Sequence, residues 1–349
     1  MTSSLIRSAS PLVQLTLVRV REYTREPEAL FWTFAFPVLM TLALGIAFRT
    51  DTKTPVHVGV ETVAGAGGLV ASLQGAEGIE VRRVAPDRVE AALRDGEVEV
   101  VVRPGSPPRY RFDPSRPESR LARLAVDDAL QRAAGRTDRF APAEEPVVTP
   151  GARYIDWLVP GLVGLNIMAT SLWGIGFSIV QARTRKLLKR LVATPMRRRD
   201  YLVAQIVGRL LFLVPEIVVL VGFAWLAFDV RIRGSLALFA LVALGGTLSF
   251  SGFGLLLGSR ARTVEAISGL LNVAMVPMWL LSGVFFSTAN FPAALQPVIK
   301  AIPLTALNDA LRAVALEGAG PSGVVLEAVI LAVWGLVSFA AALRIFRWH

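Results

Sequence analysis

Long stretches almost free of charge constrain this chain more than any other feature. Ala29–Phe48 carries no ionisable side chain, and its length is about the ~20 residues that cross a hydrocarbon layer ~30 Å thick. Trp157–Val180, Leu202–Phe228, Leu236–Gly258, Ala266–Phe286 and Val324–Phe346 repeat the pattern. Inside a bilayer every backbone N–H and C=O must find an internal partner, so only helices and closed barrels can span it. Runs of this length are too long for barrel strands and suit helices. The chain therefore reads as an α-helical integral membrane protein with six transmembrane helices.

Orientation follows from the segment between the second and third spans. Residues 181–201 hold Arg183, Arg185, Lys186, Lys189, Arg190, Arg197, Arg198 and Arg199 against the single acid Asp200. Short loops rich in Lys and Arg stay in the cytoplasm, which puts both termini on that side. Within the loop, Arg185–Ala193 reads as a short helix whose apolar face is Leu187, Leu188, Leu191 and Val192. Thr194-Pro195 stops it, because the residue before a proline is driven out of the α region. Residues 1–28 mix apolar and charged residues. A helix from Pro11 to Arg25 would be basic and amphipathic, suited to lying in the cytoplasmic interface. Met1–Ser10 lacks the apolar core of a cleaved signal, so the first span is expected to remain.

Composition changes between residues 49 and 153. Val56–Val60, Glu80–Val84 and Val98–Val102 are β-branched runs, whereas Gly68–Leu73, Asp87–Arg94 and Arg120–Ala134 read as helices. The alternation predicts a small α/β domain, and its place after the first span makes it extracytoplasmic. Arg136–Pro150, rich in Pro and Glu, is its return linker. Residues 291–320 are apolar but broken by Pro292, Pro297 and Pro303, and they read as re-entrant or interfacial helices at the outer face.

Several chemistries are excluded. The chain has no cysteine and only two histidines, His57 and His349, so thiolate chemistry is absent and a His-based metal site is not expected. The net charge of +10 is explained by the basic loop and helix ends facing anionic headgroups, without nucleic acid. A phosphate-binding loop needs a glycine-rich turn ending in Gly-Lys-Ser/Thr, and Gly-Lys occurs nowhere. Leu281-Ser282-Gly283 lies within a span and is not read as a nucleotide motif.

KLLKRLVATPMRR followed by a long apolar helix resembles the cytoplasmic coupling segment of ABC-2 type transporter permeases, the membrane half of ABC exporters. REYTREPEALFWTFAFP is similar to their elbow helix and first span, YIDWLVPG to the entry into the second. SRARTVEAISGLLN resembles the turn between the fourth and fifth spans. MWLLSGVFF resembles the fifth span, and IPLTALNDALRAVALEG, with Pro303, Asp309 and Arg312, the outer segment before the sixth. Their order covers nearly the whole chain, and the insertion after the first span matches a subgroup with an extracytoplasmic domain. The resemblance implies a multi-pass permease of the bacterial cytoplasmic membrane, working as a homodimer or heterodimer. It would export an amphiphilic or hydrophobic substrate (a drug, an antibiotic or a lipid-like molecule). A cytoplasmic ABC ATPase subunit would hold the ATP and Mg, and this chain would bind no cofactor. Arg183, Arg185, Lys186, Leu187, Leu188, Lys189, Arg190, Leu191, Thr194 and Pro195 would form the ATPase-coupling segment. Many family members carry acids and a Gly-Thr pair before the Thr-Pro, where this chain has Arg185, Lys186, Leu187 and Lys189.

Glu216 interrupts the third span. An acid near a helix centre costs about 2.5–3.5 kcal/mol on insertion scales, which the surrounding Leu, Val, Ile and Phe offset. It should therefore face protein or water, as a structural hydrogen bond or as a contact with a cationic or polar part of the substrate. Arg209, two turns away on the same stripe, is expected to snorkel to the inner interface. A membrane sensor or scaffold with an extracytoplasmic ligand-binding domain is the alternative to transport.

Overall fold

The computed structural model describes residues 11–48, 55–137, 140, 151, 153–193 and 198–346. The expected Thr194-Pro195 stop and most of the return linker lie outside them. The chain divides into two compact units, Met1–Arg49 with Val148–His349, and Thr50–Val147.

Among the described residues of the larger unit the first helix is α1 (Pro11–Arg25), which covers the expected amphipathic stretch. Six helices are long and apolar enough to cross a membrane. They are α2 (Pro27–Ala47), α6 (Tyr154–Thr184), α8 (Asp200–Phe228, within a helix that starts two residues earlier at Arg198), α9 (Leu236–Arg260), α10 (Val264–Leu281) and the run Pro321–Ile345, of which Val325–Ile345 is α13. Two of them contain a π turn, Phe31–Ala35 in α2 and Leu172–Phe177 in α6. The sequence pattern does not reveal either. Between α6 and α8 lies α7 (Leu187–Val192).

Helices α6 and α9 form the centre of this unit, with Leu158, Leu162, Ile167, Met168, Phe239 and Phe250 in one apolar core. Lipid removes the hydrophobic drive between helices, so close packing of small residues must supply it. A Cβ added at Gly258 would stand 2.9 Å from the Gly176 carbonyl, and one at Gly254 would stand 3.2 Å from Leu172 Cα. Gly252 meets α13 in the same way, 2.8 Å from the Gly335 carbonyl. Gly245 has nothing within 4 Å and does not take part.

The fifth span is shorter than the predicted 266–286. Helix α10 ends at Leu281 and the backbone reverses at Gly283, whose φ of +68° is left-handed. Short 3₁₀ turns follow, then α11 (Gln296–Ala301) and α12 (Pro303–Glu317). Within the stretch expected to hold re-entrant or interfacial helices, α12 packs inward. Leu304, Leu307, Leu311 and Val314 are buried in the main core, so this helix is a packed element and not one lying on a surface.

The smaller unit is a four-stranded sheet of order β2-β1-β3-β4. Its elements are β1 (Val56–Glu61), α3 (Ala66–Gln74), β2 (Ile79–Val84), α4 (Val89–Arg94), β3 (Val100–Arg103), β4 (Arg109–Arg111) and α5 (Pro117–Ala133). Strands β1, β2 and β3 are parallel and β4 is antiparallel to β3. Val58, Val60, Val100 and Val102 pack on Val70 and Leu73 of α3 and on Ala122 and Val126 of α5. Val84 and Val101 pack on Val89 and Ala92 of α4 across the opposite face. A sheet covered on both faces needs apolar residues on both sides of its central strands, hence the unbroken valines of β3. The α/β expectation holds for this unit. The sequence does not predict strand β4, because Arg109-Tyr110-Arg111 offers no apolar alternation.

Candidate functional site

Within α8, Arg209 and Glu216 stand seven residues apart, two turns along one face. Their side chains are 6% and 3% exposed, and Arg209 Nη2 lies 2.8 Å from Glu216 Oε2. Arg209 thus does not snorkel as expected; it is drawn inward to neutralise the acid. Taking either charge out of water alone would cost several kcal/mol, and pairing is what makes the burial tolerable.

The pair is held from α6. Arg209 Nη2 donates to Thr170 Oγ1 at 2.6 Å, and Arg209 Nε to Ser171 Oγ at 3.1 Å. The Thr170 hydroxyl lies 2.6 Å from the Asn166 carbonyl and 3.3 Å from Glu216 Oε1, both acceptors for its single proton. Arg209 Nη1 is buried with no hydrogen-bond partner among the described residues. Nothing in the sequence marks Thr170 and Ser171 as partners, apart from being hydroxyls in an apolar span.

Both π turns border this polar centre. A π turn departs from the regular i→i+4 ladder and is often found at functional sites. In each one here a backbone carbonyl accepts from a side chain. Asn166 Nδ2 donates to the Thr33 carbonyl at 3.0 Å, and Arg19 Nη2 donates to the Gly174 carbonyl. The Tyr23 and Thr33 hydroxyls bond to one another, and the Tyr23 ring packs on Phe212 with centroids 4.3 Å apart. Helix α1 is thereby tied to α2, α6 and α8.

The basic loop is organised differently from its sequence reading. The predicted helix over Arg185–Ala193 starts only at Leu187, because Lys186 adopts a left-handed φ of 57° and separates α7 from α6. Leu188 is fully buried with Ile179, Tyr201, Leu202 and Leu255, and Leu191 packs against the same cluster. The predicted apolar face is therefore split: Leu188 and Leu191 close the chain's own core, and Leu187 stays exposed. Arg183 also turns inward. Its Nη1 donates to the Gly258 carbonyl at 2.9 Å and to that of Ala261, and its Nη2 to the Ser259 carbonyl at 3.0 Å. These are carbonyls at the C-terminal end of α9, where a cation is favoured. Arg185, Lys186, Leu187, Lys189 and Arg190 remain on the surface.

On α12, Pro303 occupies the first turn, where its missing N–H costs nothing. Arg312 is buried, stacks 3.7 Å over the Trp157 ring and donates to the Gly283 carbonyl at 2.6 Å. Asn308 Nδ2 donates to the Ser282 carbonyl at 3.1 Å. Asp309 is half-buried. These contacts dock α12 onto α6 and onto the turn after α10, and they leave Arg312 well away from an open surface. Among the described residues, no group of three or more His, Cys, Asp and Glu could hold a metal.

Comparison with known proteins agrees with this architecture. The family model "ABC-2 type transporter" matches residues 126–316. The chain is 25% identical over 192 residues to the probable multidrug ABC transporter permease YbhR of Escherichia coli, covering 55% of this chain and 51% of that protein. It is 26% identical over 209 residues to YbhS of the same organism, likewise named a probable multidrug ABC transporter permease, covering 58% and 55%. ABC transporter G family member 20 of Dictyostelium discoideum matches at 30% over 174 residues, covering 49% and 23%. The chain thus spans about half the length of the two bacterial relatives and under a quarter of the third. With six apolar helices and a family match across the centre of its membrane unit, this multi-pass membrane protein belongs to the ABC-2 type transporter family.

Proposed function

We propose that this chain is the permease subunit of an ATP-driven exporter. It moves an amphiphilic or hydrophobic molecule outward across the bacterial cytoplasmic membrane, with ATP and Mg bound on a separate cytoplasmic ATPase. Family membership supports the transport class, and the word multidrug in the names of the two bacterial relatives supports the cargo class. Two permease chains, identical or related, assemble around the path, and the α/β unit stands on the outer side.

The observation that carries this reading is α7. It is a short helix between two spans, rooted in the chain's own core by Leu188 and carrying exposed Leu187 beside Arg185, Lys186, Lys189 and Arg190. A rigid element anchored to two spans transmits a push from a partner. An exposed apolar anchor ringed by cations sets residence time with the one and encounter with the others. The Arg209–Glu216 pair supplies either a structural lock or a polar contact for cargo.

The test is co-purification of the ATPase with tagged full-length chain from native membranes. Leu187→Asp should lose the ATPase at unchanged membrane yield, and Lys189→Ala should weaken it in a salt-dependent way. Leu188→Asp should lower the yield itself, since it buries a charge in the chain's own core. Wild-type retention of the ATPase by Leu187→Asp would remove α7 from the coupling contact.

A further inference from the structure

Strand β2 is an edge of the α/β sheet, paired on one side with β1 from Val56↔Ile79 to Glu61↔Val84. Among the described residues no strand lies on its other side. An edge of this length, with neither bulge nor proline, is a template for another strand. The opposite edge, β4, spans only Arg109–Arg111 and is bracketed by Pro107, Pro108 and Pro114, which cannot donate to a ladder.

The bonds to β1 fix which groups of β2 point outward. The Val56 N–H donates to the Gly78 carbonyl and the Thr62 N–H to the Val84 carbonyl, both at 2.8 Å. The N–H and C=O of one strand residue point the same way, and that direction alternates along the strand. Glu80, Arg82 and Val84 therefore direct their backbone toward β1, and Ile79, Val81 and Arg83 direct theirs outward. Side chains alternate too. Ile79 and Val81 pack toward the core shared with α3 and α5. Glu80 and Arg82 are exposed on the other face, 3.4 Å apart, with His57 Nε2 also 3.4 Å from Glu80.

This edge is its own complement. Two copies of β2, antiparallel about a two-fold axis at Val81, set Ile79 against the partner's Arg83 and Val81 against the partner's Val81 as hydrogen-bonded pairs. Glu80 then falls opposite the partner's Arg82 at the closer, non-hydrogen-bonded position. An axis at Glu80, Arg82 or Arg83 would instead set that charge against its own copy, and like charges directly opposite are destabilising. An axis at Ile79 would leave the outward groups of Arg83 unpaired. Helix α3 leaves room for the approach. It packs beside α5, with Leu69 and Ser72 half-buried along one flank and Gly67, Ala71 and Gln74 exposed along the other. A Cβ at Gly67 would meet nothing within 4 Å.

We propose that the α/β units of two identical chains join through β2, antiparallel about Val81, into one continuous sheet. The pairing rests on the identical-chain form of the assembly proposed above. A single strand pair is small beside the ~1,200–2,000 Å² of a stable free-standing interface. The contact therefore forms between chains already side by side in one membrane, where tethering makes the encounter intramolecular.

The chain has no cysteine, so introduced cysteines report without background. Full-length Val81→Cys, oxidised in native membranes, should give a disulfide-linked dimer, since a hydrogen-bonded pair holds its Cα atoms about 5.5 Å apart, within disulfide range. Ile79→Cys and Arg83→Cys should each fail to crosslink alone, because each lies about 14 Å along the strand from its own copy. Coexpressed, the two should crosslink to one another. On the Val81→Cys background, Arg82→Glu should slow crosslinking about threefold or more, and adding Glu80→Arg should restore it. Mass photometry of wild type in native nanodiscs reports the assembly independently. A dimer there, without crosslinking of Val81→Cys, would overturn the strand pairing and leave the dimeric permease standing; a monomer without crosslinking would remove both. Equal crosslinking by all three single cysteines, or indifference to the charge reversal, would also overturn the pairing.

Discussion

Arg209 and Glu216 show what one buried pair demands of its surroundings. Each charge is tolerable because the other is 2.8 Å away, and Thr170 and Ser171 accept from Nη2 and Nε of the guanidinium. Removing one partner strands the other, typically at about 3–5 kcal/mol, whereas replacing both by apolar residues is often neutral. Arg209→Leu and Glu216→Leu should therefore each lower the unfolding temperature in detergent, and the double variant should regain most of the loss. Unchanged stability in both single variants would mean that the pair is not made. If the double variant is stable yet inactive in transport, the pair serves cargo or gating beyond structure.

At the scale of elements, α9 decides how closely the membrane unit packs. Its glycines differ in role although they look alike in sequence. Gly258 faces the π turn of α6 and Gly252 faces α13, both against backbone, while Gly245 faces open space. Backbone cannot swing aside as a side-chain tip can. Gly258→Ala and Gly252→Ala should each destabilise the detergent-solubilised protein, on the order of the 1–3 kcal/mol of overpacking. Gly245→Ala should be neutral or slightly stabilising, since alanine exceeds glycine in helix propensity by about 1 kcal/mol. Thermal unfolding of the three variants reads this directly, and a shared response would contradict the assigned contacts.

On the scale of the whole molecule, the α/β unit has its own core on both faces of its sheet, which predicts that residues 55–137 fold without the spans. Tyr110 reports on this, being the sole tyrosine of that segment. Burial, with the hydroxyl donating to Asp127 Oδ1 at 2.9 Å, pushes its pKa up to about 12. An unfolded tyrosine ionises near ~10, so above that pH the unfolded chain releases its proton first. The stability tied to Tyr110 is full below about 10 and is lost as pH rises through the folded value of about 12. Phenolate absorbance of the excised unit should rise late, near 12, and Asp127→Asn should bring the midpoint down. Titration near the ordinary tyrosine value, without cooperative unfolding, would count against independent folding.

What was legible in the sequence is what depends on neighbours along the chain. Charge-free length defined six helices, because hydrocarbon thickness sets a minimum run and a charge within it is costly. Side-chain period gave α1 and three of the four strands, and the seven-residue spacing placed Arg209 on the stripe of Glu216. The ends of α10, the valine-free strand β4 and both π turns lay beyond that reach. So did the inward turn of Arg183 and Leu188, the hydroxyls of Thr170 and Ser171, and the sorting of glycines that touch backbone from one that does not. Each of these is settled by which helix lies alongside at that height, a relation between residues far apart in the chain. Arg19 meets the Gly174 carbonyl only because α1 and the π turn of α6 have been brought together.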